Sequence, residues 1–157
     1  MPRQKSVQHG LIYGKIADRF GIDGAKTYYD ANTAAKEKYR ELASDIPCDY
    51  EEGDSYVYST DDEEKIRREA RILSEIGASC EVVTDTELPF PISAAVKIPL
   101  QARFNALKFL SGIAVGLEIY ENTKVLEFFP WGVTTDKGKI RAKKIIVTTH
   151  FPITVFC

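Results

Sequence analysis

The side chains most able to do chemistry are two tyrosines one residue apart, Tyr56 and Tyr58, in the run YVYS. A strand turns alternate residues to opposite faces, so both rings share one face and Val57 takes the other. Such a pair either packs a half-buried sheet or lines a pocket for a small polar substrate, since each ring ends in a hydroxyl. Other chemistry is sparse. The histidines, His9 and His150, stand at opposite ends of the chain, and neither has a cysteine or acid at metal-ligand spacing. Cys48, Cys80 and Cys157 are an odd count without metal-like spacing and read as reduced thiols of a cytoplasmic protein. There is no P-loop, no GxGxxG and no GxSxG elbow. The carboxylates fall in helix caps and surface positions, which singles out no acid/base pair.

The elements that must position these residues follow from the bulk numbers and the periodicity. A length of 157 residues suits a single compact unit, residues 1–157, with a real core. Twenty-one basic against 23 acidic residues give a net charge of −2, which excludes a general nucleic-acid binder. No apolar run approaches the length that spans a bilayer, and the first residues do not resemble a signal peptide. Neither nucleic acid nor membrane is therefore an expected partner, and composition goes no further toward a ligand.

Ile12, Ile16 and Phe20 repeat at helical spacing before Gly21, a good residue for ending a helix. Asp23 then caps a second helix to about Ser44, with Tyr28, Ala31, Ala35, Tyr39 and Leu42 as its apolar stripe. Asn32 lies at the edge of that stripe, as a boundary residue or one facing a cavity or ligand. Pro47 ends the helix, and two strands, Cys48–Glu51 and Ser55–Ser59, are expected around a Glu52–Asp54 turn. Thr60 to Glu63 reads as a capping box. It opens a helix whose inward face is Ile66, Ala70, Leu73 and Ile76 and whose Lys65, Arg67, Arg68 and Arg71 form a solvated face with ion pairs. Strands follow at Glu81–Thr84 and Ala94–Leu100, where Pro99 implies an edge, a bulge or a strand end. Asn105 caps a short helix with Leu107, Leu110 and Ile113 or Ala114 inward. The remainder reads as strands: LEIY, KVLEFF, GVTT and KIRA about a hairpin at Asp136–Gly138, and finally Lys144–Thr149.

Four of these stretches, in order, resemble the FAD-dependent oxidoreductases of the D-amino-acid-oxidase and glycine-oxidase type. Gln8-His9-Gly10-Leu11-Ile12-Tyr13 resembles the family's passage beside the flavin ring. Ile98 to Leu110, IPLQARFNALKFL, is similar to the family's strand and "Q-x-x-x-x-P-L-x-x-L" helix, with Ala106 where proline is common. Glu121 to Phe128 resembles the "x-T-x-V-x-x-I" strand that meets the adenine side of FAD. Gly132 to His150 looks like the following hairpin and the "I-I-V-A-T-G" strand, with Thr148 for alanine and His150 for glycine.

The resemblance implies an α+β fold: a mixed, mostly antiparallel sheet with helices on one side, plus an incomplete set of FAD-binding strands. Residues 10–116 would be the substrate-domain-like portion and 117–151 the β-rich part of the flavin domain. It implies hydride transfer from an amine, amino acid or 2-hydroxy acid to flavin. His9, Gly10, Val125 and Thr149 would be the cofactor-side residues. Tyr56, Tyr58 and Arg103 would be the substrate-side residues, Arg103 gripping a carboxylate by a two-pronged contact. The family's GxGxxG and its C-terminal flavin-capping segment are not in this sequence. It therefore reads as the middle third of such an enzyme, with FAD in the complete protein and none stably held by this chain. The alternative is a stand-alone binding or dimerisation module, a homo-oligomer formed through an exposed sheet edge.

Overall fold

The computed structural model describes residues 3–149, with side chains from Ser6 onward. His150 and Cys157, which figure in the sequence reading, lie outside the described residues, as does position 151. The chain divides into two compact units, one up to Val115 and one from Gly116.

The first unit is a four-stranded antiparallel sheet backed by helices. In chain order it has β1 (Arg3–Lys5), α1 (Tyr13–Ala43), β2 (Glu51–Ser59), α2 (Glu63–Glu75), β3 (Glu81–Val83), β4 (Ala94–Phe104) and α3 (Ala106–Ile113). β4 is the spine. β2 pairs with it along one side, while β3 and β1 share the other. β3 lies against Ala95–Lys97 and β1 against Ala102–Phe104, leaving a gap between them. Pro99 sits in that gap, where its missing N–H costs no ladder bond. Leu100 beside it takes a φ of 56°, and the β2 register slips between Gly53 and Ser55. This is a β-bulge inside the central strand.

Alternation fixes the two faces. Val96 and Ile98 pair with Val57 and Ser55 and point to the helices, where Tyr13, Ile66, Ala70, Leu73 and Ile76 complete the core. The α2 stripe is buried as its period predicts, and each of Ile66, Leu73 and Ile76 contributes about 1.5–3 kcal/mol. A smaller cluster of Ala43, Cys48, Phe104 and Phe109 closes the other end of the unit. The fold is α+β with helices on one side of an antiparallel sheet.

Several local expectations are corrected. The helices expected on either side of Gly21 run on as α1 with a kink at Gly21, φ 74° and ψ 176°. Beyond it Ala31 and Ala35 are exposed, because the inward face has rotated to Asn32, Lys36, Tyr39 and Ala43. The two strands around Glu52–Asp54 are one strand, β2, and the supposed turn runs on as strand opposite the β4 bulge at Pro99 and Leu100. Asp62, not Thr60, caps α2, accepting from the Lys65 N–H. Asn105 caps α3 as expected, accepting from the Leu107 and Lys108 N–H groups. The α3 face is reversed: Phe109 is buried and Leu107 is 76% exposed.

The second unit is a three-stranded meander of β5 (Val125–Phe129), β6 (Gly132–Thr135) and β7 (Lys139–Arg141). The hairpin at Asp136–Gly138 forms as expected, with Thr135 N–H donating to the Gly138 carbonyl. Neither Leu117–Tyr120 nor Lys144–Thr149 is a strand. Strand propensity acts through a neighbour's hydrogen bonds and packing, and among the described residues neither segment joins either sheet.

Candidate functional site

The sheet face turned away from the helices carries the tyrosines. Tyr56 opposes Lys97, and Tyr58 opposes Ala95, so these four share that face. Glu81 of β3 opposes Lys97 from the other side. Both tyrosines are half-exposed. They line an open recess of about 830 Å³ with Asp54, Asp85, Thr86, Glu87 and Leu88. Phe90 leans on Tyr58 with ring centres 5.8 Å apart. The strand β2 places the rings, and the Asp85–Leu88 loop forms the far wall.

Lys97 is the one charged residue of the apolar run AAVKIPL, the signal that could have pointed to it from sequence. Its ammonium meets Glu81 and Asp54, each at 3.0 Å. Those carboxylates hold it charged well past the ordinary lysine range. The structure does not bring Arg103 to this recess. Arg103 opposes Glu51 at the start of β2, about 16 Å along the strand from Tyr56. Its Nε donates to Glu51 Oε2 at 2.7 Å, so its fork is already engaged by a carboxylate.

A buried polar assembly lies behind the sheet, where the chain enters α1. Tyr13 is fully buried, and its hydroxyl donates to the Val7 carbonyl. Burial, and then the neighbouring Tyr28, push its ionisation well above the usual tyrosine range. Gln8 and Gln101 pin the entering segment. Val7 N–H donates to Gln101 Oε1 at 3.0 Å, and Ser55 donates to Gln8 Oε1 at 3.2 Å. His9 Nδ1 lies 3.0 Å from the Tyr28 hydroxyl. Gly10 follows at φ 70°, a left-handed turn that glycine takes without strain. Asn32 is partly buried, and its amide donates to the Tyr28 carbonyl at 2.8 Å.

The sequence reading did not single out Glu69. It is buried on α2, and its carboxylate accepts from Tyr13 N–H at 2.7 Å and Gly14 N–H at 2.8 Å. The second helix thus caps the first, whose head residue Ile12 supplies no side-chain cap. The signal was present: Glu69 is an acid on an apolar stripe, between Ile66 and Leu73.

The residues expected to face FAD fall into both units. His9 and Gly10 are in the first. In the second, Val125 opposes Thr135 in the meander, and Thr149 is exposed beyond its last strand. Among the described residues there is no group of three metal-ligating side chains. No helix among them is long and apolar enough to cross a membrane.

No family model matches the sequence. The chain is 28% identical over 160 aligned positions to a Bacillus subtilis (strain 168) protein, YhfW, whose name describes it as a Rieske 2Fe-2S iron-sulfur protein. That match covers 94% of this chain and 31% of the other. In fold the chain is similar to L-proline dehydrogenase from P. horikoshii, with a TM-score of 0.61 and 19% identity. That likeness covers 74% of this chain and 36% of the dehydrogenase. The chain therefore spans about a third of the length of both proteins.

Proposed function

We propose that the chain is the substrate-facing portion of a larger FAD-dependent oxidoreductase of the D-amino-acid-oxidase and glycine-oxidase type. The substrate is an amine, amino acid or 2-hydroxy acid. The observation that carries this reading is the open tyrosine face of a helix-backed antiparallel sheet, in a chain whose fold is like that of L-proline dehydrogenase. When bound, the flavin supplies the hydride acceptor. This chain's own contribution is a wall: Tyr56 and Tyr58 offer apolar faces and hydroxyls, and the buried Gln8–Gln101 network fixes the His9–Gly10 turn at the head of α1. His9, Gly10, Val125 and Thr149 are the flavin-side residues of the complete protein.

The iron-sulfur cluster in the relative's name is assigned here to another part of such a protein. A Rieske cluster takes two cysteines and two histidines. Of the cysteines described here, Cys48 is buried in the small core and Cys80 bonds to Ala70 and Ser74, while His9 faces Tyr28.

The test is flavin retention. The purified 157-residue chain is expected to leave gel filtration colourless. The product of a longer reading frame, with a GxGxxG ahead of this segment, is expected to keep FAD and to be bleached anaerobically by its substrate. Stoichiometric FAD on the short chain would sink the reading. A second reading, an interaction module of cytoplasmic location that self-associates, draws on the exposed Leu107, Leu110 and Val115. Light scattering of the chain decides it, since a monomer in dilute solution excludes self-association.

A further inference from the structure

The recess over the tyrosine face has an uneven charge balance. Three of its seven lining residues are acids, Asp54, Asp85 and Glu87, and none is basic. The nearest cation, Lys97, is shared between Asp54 and Glu81. Asp85 and Glu87 form no ion pair among the described residues. A rim of carboxylates alone would be a solvated edge. Here two further features accompany the rim: the recess itself, and the half-exposed Tyr56 and Tyr58 rings within it. The face of a tyrosine ring attracts a cation.

We infer that the recess takes the ammonium end of a cationic amine that carries no carboxylate of its own, seated against Tyr56 and Tyr58 and facing Asp85 and Glu87. The inference rests on the substrate-face reading above and narrows it from three substrate classes to one. A ligand carboxylate would meet acids on the loop side and an occupied lysine on the sheet side. Arg103, the cation best suited to a carboxylate, is engaged by Glu51 farther along the sheet. An amine meets the opposite situation. Its charge is complemented without breaking an existing pair, and its apolar body covers ring surface that is otherwise wet.

The experiment is a titration of the purified 157-residue chain with 1,4-diaminobutane, followed by the aromatic NMR signals of its tyrosines. Tyr56→Phe and Tyr58→Phe assign the two rings. The expected result is a saturable shift of both signals, diminished by added salt. The Asp85→Asn/Glu87→Gln double variant is expected to bind roughly fivefold more weakly. Both changes are on an exposed loop and leave the core untouched, so an unchanged spectrum elsewhere verifies folding. Sodium acetate and L-lactate are expected to leave the two rings unmoved. No saturable shift with the diamine would overturn the inference. So would an equal shift from magnesium chloride, which would show a carboxylate rim with no role for the rings, or a shift from acetate. No flavin enters this titration. Its failure leaves the flavoprotein reading to its own test, and loss of that reading leaves the amine result standing.

Discussion

At the scale of single residues, Glu69 decides more than any surface feature. Two backbone N–H groups at the head of a 31-residue helix depend on one carboxylate from another helix. Glu69→Ala strands both donors in a buried site, and stranded donors cost about 1–3 kcal/mol each. The expected loss is about 3 kcal/mol in urea unfolding monitored by circular dichroism. Glu69→Gln retains an acceptor for one of the two donors and is expected to lose about half as much. Tyr13 gives a pH signature. Its folded ionisation is raised, so its contribution is fully present below the ordinary tyrosine range. That contribution fades as pH climbs toward the folded value. Thermal stability should therefore fall at alkaline pH in the wild type, and less steeply in Tyr13→Phe, which lacks the ionisable group. Equal slopes for the two proteins would count against the burial argument.

At the scale of elements, legibility follows how one-sided each element is. The α2 stripe was readable because its apolar residues occupy one side and its charges the other, where Arg67 and Arg71 pair with Glu63 and Glu64. The α3 phase was not readable. Ala106, Leu107, Phe109, Leu110 and Ile113 surround it with apolar groups, and a helix apolar all round has no preferred face in its sequence. Packing chose Phe109, whose ring meets Phe104 at 5.0 Å and Tyr39 at 5.4 Å. The kink in α1 was announced by Gly21, although a helix end was expected there instead of a bend. The torsions at Gly21 lie where only glycine is comfortable. Gly21→Ala should cost about 1–3 kcal/mol, seen as a lowered urea midpoint. An unchanged midpoint would mean the bend is optional.

At the scale of the whole molecule, the α+β class and the tyrosine-bearing strand were open to the sequence, because alternation and helical period are local. The recess was not. Its far wall comes from a loop without periodicity, and the partners of Lys97 come from two other strands. The fate of Lys144–Thr149 was hidden for a related reason, as its apolar pattern states a preference for neighbours without naming them. The division after Val115 suggests where a protease should act first. Val115, Leu117, Ile119 and Tyr120 lie in an exposed stretch without regular hydrogen bonding. Brief chymotrypsin treatment should cut after Leu117 or Tyr120 and release a resistant fragment of the first unit. Initial cleavage inside β4 would contradict the division.

The cap that Glu69 places on α1 also has a meaning for synthesis. The helix begins at Tyr13, but the group that satisfies its first turn is 56 residues farther on. At about 5–20 residues per second, a ribosome needs roughly 3–11 s to add that stretch. Throughout that interval the head of the longest helix is exposed to water with its donors uncapped, and it becomes locked only when α2 has been made. The first unit is therefore not assembled from its N-terminus inward. Its earliest helix waits for its second, and the order in which the chain is written is not the order in which it becomes stable.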